Sequence, residues 1–112
     1  MEYKPVVLEL IEQAHQAEQV LAAHLPEKER LSSGELKNWA FKEIVGHVHI
    51  WMKRQADNIQ AAKRGEPTTP YDNYLELNDL NFEEFNRMGW QEVQAYAAQV
   101  KRAYLEMLQG LL

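Results

Sequence analysis

Three long stretches of this chain repeat apolar residues at three- and four-residue steps, and that period restricts the fold more than any other feature. A stripe of such spacing covers one face of an α-helix and has to be buried against another element. In the first stretch Val7, Leu10, Ile11, Ala14, Ala17, Leu21 and Leu25 follow it. Pro5 suits a first helical turn, and Pro26 ends the segment. The second stretch runs from about Trp39 to Arg64, with Phe41, Ile44, Val48, Trp51, Ile59 and Ala62 as its stripe. Gly65 supplies its stop, and Pro67 and Pro70 keep the following residues extended. The last stretch begins at Trp90, after Gly89, and aligns Val93, Ala97, Val100, Tyr104, Leu108 and Leu111. Before it, NDLNFEEFNRM predicts a short helix capped by Asn78 or Asp79. No segment reads as a strand.

These segments predict an all-α fold: one domain over residues 1–112, an up-down helical bundle of three long helices and one short one. The connection GEPTTPYDNY, at roughly a dozen residues, is long for a bundle link and is expected to cross over the bundle. Three long helices running up, down and up leave a groove where a fourth long helix would sit. The final LEMLQGLL stays apolar, which suggests that something packs against it.

Composition narrows the partners. The 112 residues are 46% hydrophobic, enough for one core, and contain no cysteine, which excludes disulfides, thiolate zinc sites and a cysteine nucleophile. The net charge of −5 argues against nucleic acid, because phosphate neutralisation needs clustered Lys and Arg. The one basic cluster, Lys53, Arg54, Lys63 and Arg64, lies late in the second helix, where cations complement the helix dipole. From residue 71 to 92 six acids face one Arg87, which reads as a solvated face. No apolar run approaches the ~20 residues of a membrane span, and Glu9 and Glu12 interrupt any signal-peptide core. The expected location is the cytoplasm, with neither membrane nor nucleic acid as partner.

Polar residues inside the stripes are the candidates for chemistry. Glu18 falls within the first stripe, where a carboxylate is costly unless paired or protonated. It is either an acid, base or ligand in an internal pocket or, the preferred reading, a residue at a wet edge. In HVH, His47 lies beside Ile44 and Trp51, while His49 projects to the opposite side and is expected at the surface. Their i, i+2 spacing cannot bring both to one ion. Gln55 and Asn58 share the inner face with His47, which as a lone inward histidine is more often a hydrogen-bonded core residue than a ligand. His15 and His24 flank the first stripe on opposite sides and supply no second ligand. The tyrosines and tryptophans could line a cavity, but at helical spacing they read first as core. Gly-rich phosphate loops, HExxH and GxSxG are absent.

The segment WAFKEIVGHVHIW resembles the second-helix signature of the DinB-like helical bundles, with Trp39, Lys42, Glu43, Ile44, Val45, His47, Val48 and Trp51 in its places. YDNYLELNDLNFEEFNRMGWQEVQAYAAQVKRAYLEML is similar to the ClbS/DfsB-type branch, in which an Asn-containing short helix precedes a long helix with a late aromatic. The resemblance implies a DinB-type four-helix bundle. Many members bind a divalent metal through three histidines, and some act as thiol-dependent transferases. The ClbS/DfsB branch implies a protective hydrolase acting on a reactive small molecule without that triad. Only His47 carries over as a metal position, since the family's later HxxxH has no counterpart before Leu112. Ala40 replaces a hydroxyl cap worth ~1 kcal/mol, which Glu43 or Asn38 would have to replace.

Three functions follow as expectations. The first is small-molecule binding or hydrolysis in a detoxification role, with Glu18 and His47 as candidate catalytic residues and Trp51, Gln55, Asn58 and Tyr104 lining the pocket. The second is a non-enzymatic module that self-associates as a homodimer through the missing-helix groove. The third is a metal-dependent thiol transferase whose remaining ligands come from another chain.

Overall fold

A computed structural model describes residues 4–111, without the side chains of Lys4, Arg30 and Leu111. It contains five helices and, among the described residues, no strand: α1 (Lys4–His24), α2 (Glu27–Leu31), α3 (Phe41–Lys63), α4 (Tyr74–Arg87) and α5 (Trp90–Leu111). The all-α expectation therefore holds, with three long helices as read from the periodicity. The single turn α2 was not expected, because EKERL offers no apolar period.

Local chemistry sets the helix ends. Ala40 cannot cap α3 with its side chain, and Glu43 takes over: its Oε1 accepts the backbone N–H of Ala40 at 2.9 Å. At the other end Gly65 adopts φ +73°, the N–H of Gly65 reaches the Ala62 carbonyl, and the N–H of Glu66 reaches Ala61. That is the left-handed glycine stop the sequence predicted. The α4 cap is a correction: the helix begins four residues earlier than Asn78, and its flanking residue Asn73 makes no side-chain cap bond. Asn78 instead accepts the Trp51 indole N–H at 2.8 Å.

Pairings along the helices give their directions. Asn78 of α4 meets Trp51 while Asn86 meets Lys42, so α4 runs antiparallel to the first half of α3. Trp90 lies against Phe41 and Tyr104 bonds Gln55, so α5 runs parallel to α3. Ala22 joins the cluster around Trp90 while Glu12 pairs with Lys101, so α1 runs antiparallel to α5. The three long helices thus do not alternate up, down and up; α4 supplies the reversal between α3 and α5. Nor does the connection after α3 cross over the bundle. It turns back along the second half of α3, where Asn58 bonds both the N–H and the carbonyl of Thr69 at 2.8 Å and Tyr71 packs edge-on to Trp51.

The core gathers at one end, from Val45, Phe85, Trp90, Val93 and Ala97, with Ala22 as the contribution of α1. Gly46 admits the Phe85 ring: a Cβ there would lie 2.4 Å from Cγ of Phe85. Beside it, Lys42 and Glu43 are buried at 2% and 0% exposure. The Lys42 ammonium donates to Ser33 Oγ, to the Asn86 carbonyl and to the Met88 carbonyl, which uses all three of its hydrogens. Glu43 also accepts the Gly34 N–H at 2.6 Å. These charges tie the 32–40 segment and the α4–α5 junction to the start of α3.

This packing turns α3 about its axis relative to the expected stripe. Val45, Gly46 and His49 are buried, while Ile44 and Val48 are each 46% exposed. On α1, Leu10 and Leu21 are exposed as well. On the C-terminal apolar face Val93, Ala97, Val100, Met107 and Leu108 are buried within the chain; the Leu111 side chain and Leu112 lie outside the described residues. The outline is a slab of 44 × 31 × 20 Å.

Candidate functional site

Helix α1 meets α5 where Glu12 pairs with Lys101 and near Ala22 but stands off from α3, and the three helices border a cavity of about 370 Å³ that opens to solvent. Val7, Leu10, Ile11 and Ala14 form the α1 wall, and Val48 and Met52 the α3 wall. The first half of the α1 stripe therefore lines this cavity instead of packing in the core as expected, and Leu10 stays 59% exposed. Its polar groups are Glu18 and His15 from α1, His49 from α3, and Lys101 and Tyr104 from α5.

Glu18 and His49 are opposed across the cavity, with Oε2 and Nε2 4.0 Å apart. The His49 Nδ1 lies 2.8 Å from the Val45 carbonyl oxygen. A carbonyl only accepts, so Nδ1 carries the hydrogen, and in the neutral ring Nε2 presents a lone pair to the cavity. Glu18 is thus a cavity-wall carboxylate with one-fifth of its side chain exposed, neither packed in the core nor at a wet outer edge. Lys101 is held by Glu12 at 2.9 Å, and the Tyr104 hydroxyl donates to Gln55 Oε1 at 3.2 Å.

Of the two histidines of HVH, His49 leaves its expected surface position, while His47 stays partly buried but away from the cavity. His49 is 5% exposed and joins Glu18, whereas His47 lines neither this cavity nor its neighbour. His47 packs at the edge of the Trp39 ring, 5.1 Å between centroids. Burial, and then the Arg54 cation, hold its imidazole below the ordinary range. The signal that would have located His49 is Gly46: glycine inside a helix marks a close approach, and the close approach decides which neighbours go inward.

Trp51, Gln55 and Asn58 line a second, more open groove of about 600 Å³ along α3, which meets the first at Val48 and Met52. Arg54, read from the sequence only as part of a basic cluster that complements the helix dipole, lies over the Trp51 ring at 4.6 Å and donates to Asn81 Oδ1 at 3.0 Å. Trp51 and Asn58 are thereby committed to holding α4 and the 64–73 connection. Of the six residues expected to share one pocket, Glu18 and Tyr104 share the cavity, three line the groove, and His47 stands apart. Among the described residues no three His, Asp or Glu side chains converge as a metal site, so His47 has no co-ligands there. No helix among them is long and apolar enough to cross a membrane. No protein-family model, curated protein or solved structure matches the chain.

Proposed function

We propose that this protein binds a small, largely apolar molecule in the cavity between α1, α3 and α5, in keeping with the small-molecule binding or hydrolysis expected of a DinB-like, ClbS/DfsB-type bundle. The carrying observation is an apolar chamber of about 370 Å³ with an opposed His49 and Glu18 in its wall. Binding sites combine such apolar walls with a few convergent polar groups. If the bound molecule is hydrolysed, His49 replaces His47 as the candidate base, since its Nε2 lone pair faces the chamber. The metal-dependent transferase draws no comparable support, and a cytoplasmic location rests on the sequence alone.

The neutral, donor-free fluorophore prodan tests the cavity. Saturable one-to-one binding with a blue-shifted emission is expected, and Ala14→Trp, which fills the chamber from α1, is expected to abolish it while leaving helicity unchanged. Equal signals from both proteins would mean that the probe binds elsewhere.

Self-association is a second reading, favoured by one further observation. The chain exposes 7608 Å², against about 6,400 Å² for a compact monomer of this mass. Ile44 and Val48 contribute apolar surface to that excess, and a second copy of the same chain is the proposed occupant of this face.

A further inference from the structure

Two hydrogen-bond acceptors face each other across the cavity, and among the described residues no donor reaches both. With Nδ1–H committed to Val45, neutral His49 offers only its Nε2 lone pair, and Glu18 offers carboxylate oxygens 4.0 Å away. No hydrogen-bond donor among the described residues reaches the Glu18 carboxylate. The nearby cation, Lys101, is already held by Glu12 at 2.9 Å. His15, on the same wall, keeps its buried Nδ1 without a partner. Acceptors left without a protein donor in a largely apolar cavity favour a ligand that brings several donors at one point.

We propose that the cavity takes a primary amine with an apolar tail, its ammonium group placed between Glu18 and His49 and its tail lying along Ile11, Val48 and Met52. The inference rests on the cavity being a ligand site. An ammonium nitrogen about 2.9 Å from each acceptor spans a 4.0 Å gap with roughly a right angle at nitrogen, close to what tetrahedral N–H directions allow. An alcohol carries one O–H and can serve only one of the two acceptors. Charge points the same way, because Glu18 puts a carboxylate in the cavity lining and the whole chain carries −5.

The experiment compares 4-phenylbutylamine with 4-phenylbutan-1-ol, matched in tail and length, by calorimetry and by displacement of prodan. The amine is expected to bind the full chain about tenfold more tightly than the alcohol. Glu18→Gln is expected to remove that preference while leaving helicity unchanged. His49→Phe, which cannot accept a hydrogen bond, is expected to reduce it as well. Equal binding of the two compounds, with both displacing prodan, would overturn the amine assignment and leave the cavity reading intact. A proton on Nε2 that closes the Glu18–His49 pair upon itself gives this same result. If neither compound binds and prodan does not either, the ligand site itself is refuted.

Discussion

Lys42 shows how much a single buried charge organises here. Its ammonium has exchanged water for three oxygens contributed by the 32–40 segment and the α4–α5 junction, and it lies 3.7 Å from the Glu43 carboxylate. Removing one partner of a buried pair costs more than the pair contributes, because the other charge stays behind without compensation. Lys42→Met keeps the length of the side chain and is expected to lower unfolding free energy by about 3 kcal/mol or more in urea titrations. A loss below ~1 kcal/mol would show that the Lys42 contacts contribute no more than an exposed ion pair does. His47 gives a pH signature. Its folded-state pKa lies below the ordinary value through burial and the Arg54 charge. On acidification the unfolded chain therefore takes up this proton first. The contribution of His47 to stability is complete above about pH 6.5 and declines as pH falls from there toward its lowered native value. His47→Phe, which keeps the aromatic contact with Trp39, is expected to flatten the pH dependence of the melting temperature across that window.

At the scale of elements, the α3–α4 contact depends on the absence of one methyl group. Gly46→Ala places a Cβ inside the Phe85 ring, so α4 has to move or Phe85 has to leave the core; a loss of about 1–3 kcal/mol is expected. Gly110→Ala meets open space near the end of α5 and is expected to be neutral or stabilising by a few tenths of a kcal/mol. Similar effects at the two positions would contradict the Phe85 approach. The same contact explains what could be read in advance. The long helices and the Gly65 stop were legible because periodicity and left-handed glycine chemistry are local. The rotation of α3 was not, because it follows from Phe85, 39 residues further along the chain, fitting against Gly46 and from two charges satisfied in the interior. A stripe built from Ile44, Val48 and Trp51 gave the helix correctly and its buried face incorrectly, and the assignment of His47 and His49 inherited that error. Glu18 and Tyr104 were placed together because α5 keeps the face its period implies and the first half of the α1 stripe lines the cavity beside it, although most of that stripe stays unburied. α1 is also the least anchored long helix: Ala22 is its one buried described side chain, and Val6, Leu10, Val20 and Leu21 remain about half exposed. Its amides are expected to exchange faster than those of α3 and α5, and a cavity ligand is expected to slow them selectively.

The dimensions of the whole molecule carry the last prediction. A compact chain of 112 residues has a radius of gyration of about 13 Å, whereas this one measures 15.4 Å and is only 20 Å through its thinnest direction. Two helix layers account for that thickness, which leaves one face of the slab without a covering layer. Its surface exceeds that of a compact monomer by roughly 1,200 Å², more than the ~800 Å² that each partner contributes to a standard interface. Ile44 and Val48, each 46% exposed and four residues apart, share one face of α3. Pairing that face with its own copy by a two-fold axis would bury this surface and close the mouth of the cavity at Leu10 and Val48. Light scattering is therefore expected to give twice the 13.1 kDa chain mass at micromolar concentration. Ile44→Glu, outside the cavity and 46% exposed, is expected to yield a folded monomer that still binds prodan. A wild-type protein that stays monomeric at every concentration would remove the second copy from this face. A monomeric Ile44→Glu variant without prodan binding would instead make the cavity a property of the pair, since closure of its mouth would then be a condition for holding the ligand.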